Sequence, residues 1–596
     1  MKYLLKYLKP YTKESILAPA FKLVEALLDL LVPVIIADIT NHGIKYGDKQ
    51  YIISRFIFLI ILAIIGLGFS VTAQYFAAKA SVGFASSLRE NLFKHIQKLS
   101  FDKLDEVGTE TLITRVTGDV LQVQNGVNMV LRLLLRSPFI VFGSMIVAFT
   151  IDVKAALIFA VSIPVLTAVI YIIMALTIPM YKKVQSHLDG VLLTTRENIT
   201  GVRVIRAFCK EEAEVAEFDV KNDALTKMNL FVGRISAIMN PATYVLINIA
   251  ICILFMVSGK SVNEGRIEQG DLLALYNLMA QMIVELVKLA NLIITINKAL
   301  ACADRVSAVL QTEPGMEYPE DMGKSFSDDK DKNNTGEPGK ELPETENKKL
   351  QPAVTFHNVS FAYHDAKENA VEGINFEINP GETIGIIGGT GSGKSTLVNL
   401  IPRFYDASNG YVSVFGRDVK EYGRGELNRI VGVVPQKAVL FAGSIRDNMK
   451  FGNENATDEE IYHALELAQA KEIVEKKEGA LDYMVEQGGK NFSGGQKQRL
   501  TIARALVADP KILILDDSSS ALDYATDLNL RRALNSLDGK ITTVIVSQRT
   551  SSIQSADRIL VLDDGEIVGM GTHEELLKNC EIYAEIYASQ TKEGSA

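Results

Sequence analysis

Apolar positions divide this chain into two regimes. Long apolar runs with few charges fill roughly the first three hundred residues, and the last two hundred and forty alternate short apolar runs with polar ones. A helix needs about 20 mostly apolar residues to cross the hydrocarbon core of a bilayer. Six stretches have that length, near 16–38, 55–79, 128–150, 155–179, 240–259 and 271–298, and the first and last of them carry charges. Only Ile151-Asp152-Val153-Lys154 separates the third from the fourth, which predicts a tight hairpin. Two long polar segments, about 80–127 and 180–239, read as helical and are rich in Lys and Arg. The spans are therefore joined by short loops on one side and by long helical extensions on the other.

Charge orients this pattern. Lys2, Lys6, Lys9 and Lys13 lie at the start, Arg89, Lys94, Lys98, Lys103 and Arg115 in the first long loop, and Lys182, Lys183, Arg196, Arg203, Arg206 and Lys210 in the second. An excess of Lys and Arg marks the cytoplasmic side. An even number of spans puts all three groups there, together with both termini. The expectation is a multi-pass protein of the cell membrane.

Composition then sets the domains. Residues 312–350 are Asp, Glu, Lys, Asn, Gly and Pro with almost no large apolar side chains, which cannot bury a core. A disordered linker is expected there, as a simple tether or a regulatory insert. The domains expected are a helical membrane part over 1–311, the linker over 312–350, and a soluble α/β part over 351–590. A net charge of −9 excludes a general affinity for nucleic acid, which needs a basic face. The four cysteines, Cys209, Cys252, Cys302 and Cys580, show neither metal-ligand spacing nor a disulfide framework, as suits a reducing interior.

The strongest chemical signal is Gly388-Gly389-Thr390-Gly391-Ser392-Gly393-Lys394-Ser395-Thr396, a phosphate-binding loop of the G-x-x-x-x-G-K-[ST] type. An apolar strand, Thr383–Ile387, precedes it, and a helical run, Leu397–Ile401, follows. Glycines let backbone N–H groups wrap phosphates, and the helix start adds its dipole. Lys394 is expected on the outer phosphates and the Ser395 hydroxyl on Mg²⁺. Downstream, Lys511-Ile512-Leu513-Ile514-Leu515-Asp516 is an apolar strand ending in a carboxylate, the Walker B pattern, so Asp516 is expected at or beside the same Mg²⁺.

Between these motifs lies Asn491-Phe492-Ser493-Gly494-Gly495-Gln496. It resembles the signature of the ATP-binding cassette family, and the whole chain outside the linker resembles a half-transporter of that family's exporter type. The resemblance implies a six-helix transmembrane domain followed by an α/β nucleotide-binding domain. It gives Tyr363 as the aromatic stacking on adenine, Gln436 as the Q-loop residue reaching Mg²⁺, and Asp523 in Ser520-Ala521-Leu522-Asp523 as the D-loop acid. It also implies that two cassettes sandwich two ATP molecules, with Ser493, Gly494, Gly495 and Gln496 acting on the partner's ATP. The chemistry agrees, since Ser-Gly-Gly at a helix start makes a second anion-binding end.

Two positions depart from the family pattern. Where Glu usually follows Walker B this chain has Asp517, and where a switch His usually stands it has Gln548. Asp is one methylene shorter, and a misplacement of about 1 Å can cost about 10²-fold in rate. Gln can hydrogen-bond a phosphate but cannot carry a charge. This pattern resembles the degenerate-site subunit of heterodimeric bacterial multidrug-type exporters. Expected partners are a second half-transporter, the lipid bilayer and a transported amphipathic molecule. A regulatory ATP-binding subunit and a slow homodimeric exporter are the alternatives.

Gly108–Arg115 and Gly201–Phe208 resemble the segments that couple membrane helices to cassettes, the second reaching the partner's cassette. Inside the spans, Lys22, Glu25 and Asp29 share one helix face, and Glu285 and Lys288 are i, i+3 neighbours. Two readings stand for these charges, a polar cavity wall and ion pairing along each helix.

Overall fold

The computed structural model describes residues 2–319, 351–364, 366–423, 425–536 and 541–592. Residues 320–350, most of the expected linker, lie outside them. The chain forms two units, one of Met1–Gln97 with Glu110–Thr312, the other of Lys98–Thr109 with Glu313–Ala596.

The first unit is helical. In chain order its long helices are α1 (Thr12–Asp38) and α2 (Lys49–Ile96), then, after a short helix α3 (Phe101–Val107) that belongs to the second unit, α4 (Thr109–Ile151) and α5 (Val153–Thr200). A short α6 (Val202–Ala207) leads to α7 (Glu211–Asn263) and α8 (Gln269–Gln311). Asp152 alone separates α4 from α5. Its Oδ1 accepts from Lys154 N at 3.1 Å, capping α5, and its Oδ2 accepts from Ser261 Oγ of α7 at 3.0 Å. That is the expected hairpin, closed by a carboxylate cap.

Among the described residues five helices, α2, α4, α5, α7 and α8, are long and apolar enough to cross a membrane. The most apolar stretch of each is only 11–33% buried, so a wide apolar face is left for lipid. α1, the first of the six expected stretches, stands apart from those five by composition. It is long enough, at 27 residues, but it carries Lys22, Glu25 and Asp29 on one face. Those charges are met by protein groups, described below. A core of Leu30, Ile140, Phe159, Leu254, Leu275 and Met279 joins α1, α4, α5, α7 and α8.

The second unit is α/β. Its strands are β1 (Val354–Phe361), β2 (Val371–Ile378), β3 (Thr383–Gly388), β4 (Asn409–Val414), β5 (Arg417–Asp418), β6 (Val431–Val434), β7 (Gly443–Ser444), β8 (Met484–Val485), β9 (Ile512–Asp516), β10 (Thr542–Val546), β11 (Arg558–Asp563) and β12 (Glu566–Gly571). Six form a sheet in the order β12-β11-β3-β10-β9-β6, parallel except for the edge strand β12. β9 and β10 are buried at every position, as strands covered on both faces must be. Alternate side chains feed two cores: Ile512 and Ile514 enter one, Leu513 and Leu515 the other. An antiparallel sheet, β2-β1-β4-β5, lies beside it. Because β3 runs between β10 and β11, its carboxyl end opens beside the ends of β9 and β10, where ligands of open parallel sheets bind.

Candidate functional site: a phosphate-binding cleft

The loop after β3 is shaped by two glycines that no other residue could replace. Gly393 has φ +89, and a Cβ there would stand 2.4 Å from the Ala370 carbonyl oxygen; a Cβ on Gly388 would meet the Leu562 carbonyl oxygen at 2.1 Å. Close backbone approach therefore fixes both. The loop ends in helix α9 (Lys394–Leu400). The Lys394 ammonium is buried and folds back to donate to the Gly388 carbonyl at 3.0 Å, to the Gly389 carbonyl and to Ser392 Oγ at 3.3 Å. Burial lowers its pKa, and Asp517 and Asp516 oppose that.

Around the loop a cleft of about 360 Å³ collects most of the residues expected from sequence. Tyr363, Thr390, Gly391, Gly393, Lys394, Ser395, Thr396, Gln436, Asp516, Asp517 and Gln548 line it, together with Ala370, Val546 and Ser547, which sequence reasoning missed. The last two are the end of β10 and the residue after it, so the strand-end rule could have found them. Ser395 Oγ donates to Asp516 Oδ1 at 3.0 Å, Gln436 Nε2 donates to Asp517 Oδ2 at 3.2 Å, and the Tyr363 hydroxyl lies 3.0 Å from Thr396 Oγ1. Among the described residues no group of three His, Cys, Asp or Glu side chains could hold a metal alone. Mg²⁺ is usually held by one or two carboxylates plus substrate phosphates, and the Ser395–Asp516 pair with Gln436 fits that demand.

Asp516 is buried, and burial pushes its carboxyl above the usual carboxylate range, against the pull of Ser395 and Lys394. A carboxyl raised on folding holds its proton more tightly in the folded state. Its stabilising contribution is complete below the ordinary carboxylate value and is lost as pH rises through the raised one. At neutral pH Asp516 thus costs the nucleotide-free domain stability. Asp516→Asn is expected to raise its thermal midpoint by about a few degrees at most, and a calorimetric scan without nucleotide checks it.

Gln548 is exposed, and its backbone carbonyl accepts from Gln590 Nε2 at 2.7 Å. Gln590 Oε1 also accepts from Thr550 N at 2.8 Å, so the last helix (Glu581–Lys592) clamps this loop. The signature lies elsewhere. Ser493 caps α10 (Gly494–Val507): its Oγ accepts from Gln496 N at 3.3 Å while Gln496 Oε1 accepts from Ser493 N at 3.0 Å. Ser493 and Gly494 are exposed and none of 493–496 lines the cleft. Asp523 caps α11 (Tyr524–Asn535), accepting from Thr526 N at 2.9 Å, and it too lies outside the cleft lining.

The first coupling expectation needs correction. The segment integrated with the nucleotide unit is α3 and its flanks, residues 98–109, ahead of most of Gly108–Arg115. Ser100 caps α3 and its N–H donates to the Pro314 carbonyl at 2.7 Å. The Phe101 ring lies 4.7 Å from Phe404, and the Tyr405 hydroxyl donates to Asp105 Oδ2 at 2.8 Å. Burial, then Asp105, raises the Tyr405 phenol pKa. Tyr405 in turn packs edge-on against Tyr363 at 5.4 Å, so an aromatic row joins α3 to the cleft. Tyr405→Phe keeps the ring and loses the bond, worth about 1 kcal/mol. Amide exchange across 101–107 is expected to speed up about fivefold, read by mass spectrometry. In the second segment, Val204 and Phe208 at and after α6 are exposed, 61% and 71%.

Comparison with known proteins agrees with this layout. Residues 15–286 match the family described as ABC transporter transmembrane region, and residues 371–520 match the ABC transporter family. An uncharacterized ABC transporter ATP-binding protein of Mycobacterium tuberculosis is 34% identical over 591 residues, covering 98% of this chain and 97% of that one. The uncharacterized ABC transporter ATP-binding protein YfiB of Bacillus subtilis is 34% identical over 596 residues, the whole of both chains. An ATP-dependent lipid A-core flippase of Hahella chejuensis is 30% identical over 598 residues, covering 100% of this chain and 97% of that one. Among solved structures, a bacterial Atm1-family ABC exporter with ATP bound superposes with a TM-score of 0.76 at 21% identity, covering 98% of each chain.

Proposed function

This chain belongs to the ABC transporter family, and from that premise we propose that it is one half of a heterodimeric exporter that moves an amphipathic small molecule, drug or lipid across the cell membrane. One observation carries the reading. One cleft gathers most of the phosphate-binding set with the two atypical residues Asp517 and Gln548, while the intact signature, Ser493 to Gln496, lies outside that cleft's lining with Ser493 and Gly494 exposed.

In this reading Tyr363 stacks on adenine, and residues 388–396 wrap the phosphates. Lys394 exchanges its bonds to the loop carbonyls for the outer phosphates. Ser395, Gln436 and Asp516 would hold Mg²⁺, which would supply positive charge against the phosphates. Asp517 orients the attacking water poorly, and Gln548 meets the phosphate without a positive charge, so this site binds more than it turns over. Ser493, Gly494, Gly495 and Gln496 close on the partner's ATP, and α6 with Phe208 reaches the partner's cassette. Closure of the two cassettes biases the membrane helices from an inward-open to an outward-open state, which expels the substrate. The N- and C-termini lie in the cytoplasm.

The purified chain alone is expected to hydrolyse ATP about 10²-fold more slowly than the pair formed with a half-transporter carrying Glu and His at these positions. Steady-state phosphate release on both preparations checks it. Equal turnover by the lone chain would favour a homodimer with a working Asp517.

A further inference from the structure

The scheme above uses none of the ionisable side chains buried among the membrane helices. Three carboxylates and three cations meet between α1, α4 and α8. Arg136 is the hub. Its Nη1 donates to Glu285 Oε1 at 2.6 Å and its Nη2 to Asp29 Oδ2 at 2.9 Å. Its Nε stands 3.8 Å from Glu25 Oε1, buried and without a hydrogen bond. Glu285 also accepts from Ser137 Oγ and from Lys288 Nζ, each at 2.8 Å. Lys22 pairs with Glu25 and donates to Ser70 Oγ at 3.1 Å. Both readings of these charges made from sequence are thus incomplete: the helical pairs exist, and Arg136 links them across helices.

The ends of this network differ from its middle. Asp29, Arg136, Glu285 and Lys288 form an alternating row. Of the inner two, Glu285 is buried, 3% exposed, and Arg136 is largely covered, 13% exposed, while Asp29 and Lys288 are 38% and 44% exposed. Arg136 lies 15 residues from the end of α4 at Ile151, and Glu285 lies 16 from the start of α8 at Gln269. At 1.5 Å per residue both sit about 22–24 Å along their helices, within a hydrocarbon core of about 30 Å. Charges at such depth are costly against lipid and are placed toward protein or a water-filled path. A network serving structure alone has no reason to leave a carboxylate at one end and an ammonium at the other open.

We propose that this row is a recognition site on the translocation path for an amphiphile bearing both a cationic amine and an acidic group, the amine against Asp29 and the anion against Lys288. The proposal rests on the export reading above. The six charges cancel, so a singly charged ligand brings an unmatched charge into a poorly solvated neutral cluster. A zwitterion meets both open ends and leaves the sum at zero. Arg136 and Glu285, locked to each other and to their neighbours, hold the two ends at a fixed separation, which makes the site selective for a ligand carrying both charges.

Three probes of equal alkyl length test it: an alkylphosphocholine, an alkyltrimethylammonium and an alkyl phosphate. Binding is measured on the solubilised pair without nucleotide, and ATP-dependent movement in liposomes. The wild-type pair is expected to bind the zwitterion most tightly. Asp29→Asn should weaken zwitterion binding about tenfold and put the alkyl phosphate first, and Lys288→Gln should put the alkyltrimethylammonium first. Ranking within one variant does not depend on how much of it assembles. A wild type without zwitterion preference, or variants that keep the wild-type ranking, would overturn the proposal. The expected binding ranks without ATP-driven movement of any probe would leave the site standing and refute the export reading instead.

Discussion

Ser493→Arg in the assembled pair will nearly abolish ATP turnover, and Asp517→Ala will leave a large fraction of it. Ser493 is exposed at the start of α10, where its hydroxyl and Gln496 close a capping box. An arginine there removes the cap, a loss of about 1 kcal/mol, and fills the space where the partner's γ-phosphate is expected. Oriented phosphate stabilisation commonly contributes about 10²–10³ in rate, so blocking closure of the productive site stops most cycles. In the proposed reading Asp517 belongs to the other site, where its shorter reach would already limit hydrolysis. Steady-state ATPase of both variants at equal assembly decides the matter. If Asp517→Ala is the more damaging, Asp517 is a working base and the strong and weak sites are the wrong way round.

The largest effect on stability is expected at Arg136. Arg136→Leu strips Asp29 and Glu285 of their shared partner and leaves a buried carboxylate at Glu285 with only Lys288 and Ser137. Breaking a buried pair from one side typically costs about 3–5 kcal/mol. The variant should therefore show a lowered unfolding midpoint and a poor yield from membranes. Arg136→Lys keeps the charge but cannot fork to two acids, and should fall between. Removing the abandoned acid as well, in Arg136→Leu with Glu285→Leu, should restore part of the loss. A thermal scan in detergent gives all four midpoints. An Arg136→Leu midpoint equal to that of the unaltered protein would show that the network bears no structural load.

What the sequence made legible follows from where each constraint originates. The phosphate loop could be read because its glycines answer to local backbone geometry, as the close approaches at Gly388 and Gly393 show. The apolar strand ending in Asp516 could be read because full burial leaves a continuous hydrophobic run. Convergence of Tyr363, Gln436 and Gln548 on that loop was expected only by resemblance, since nothing local in those segments points to a shared cleft. Arg136 was passed over for the same physical reason. Its partners lie 149 and 107 positions away, and an isolated arginine in an apolar run carries no sign of what it meets. Placement of the first coupling segment missed by several residues, because the aromatic contacts that integrate α3 come from positions some 300 residues further on. Counting apolar residues marked α1 as a charged span but could not show how its charges are met, which is by Lys22 with Glu25 along the helix and by Arg136 from α4.

The membership of residues 98–109 in the nucleotide unit bears on protein engineering. A cassette excised at residue 351 leaves behind α3, and with it the cover over Phe404 and the acceptor for the Tyr405 hydroxyl. Swapping cassettes between relatives at that single cut would pair each donor cassette with a foreign plug, as if a lid from one jar were pressed onto another. A chimera that respects the fold needs three crossover points, one on either side of α3 and one after the membrane helices, and a synthetic peptide spanning 98–109 becomes the natural additive for keeping an excised cassette soluble.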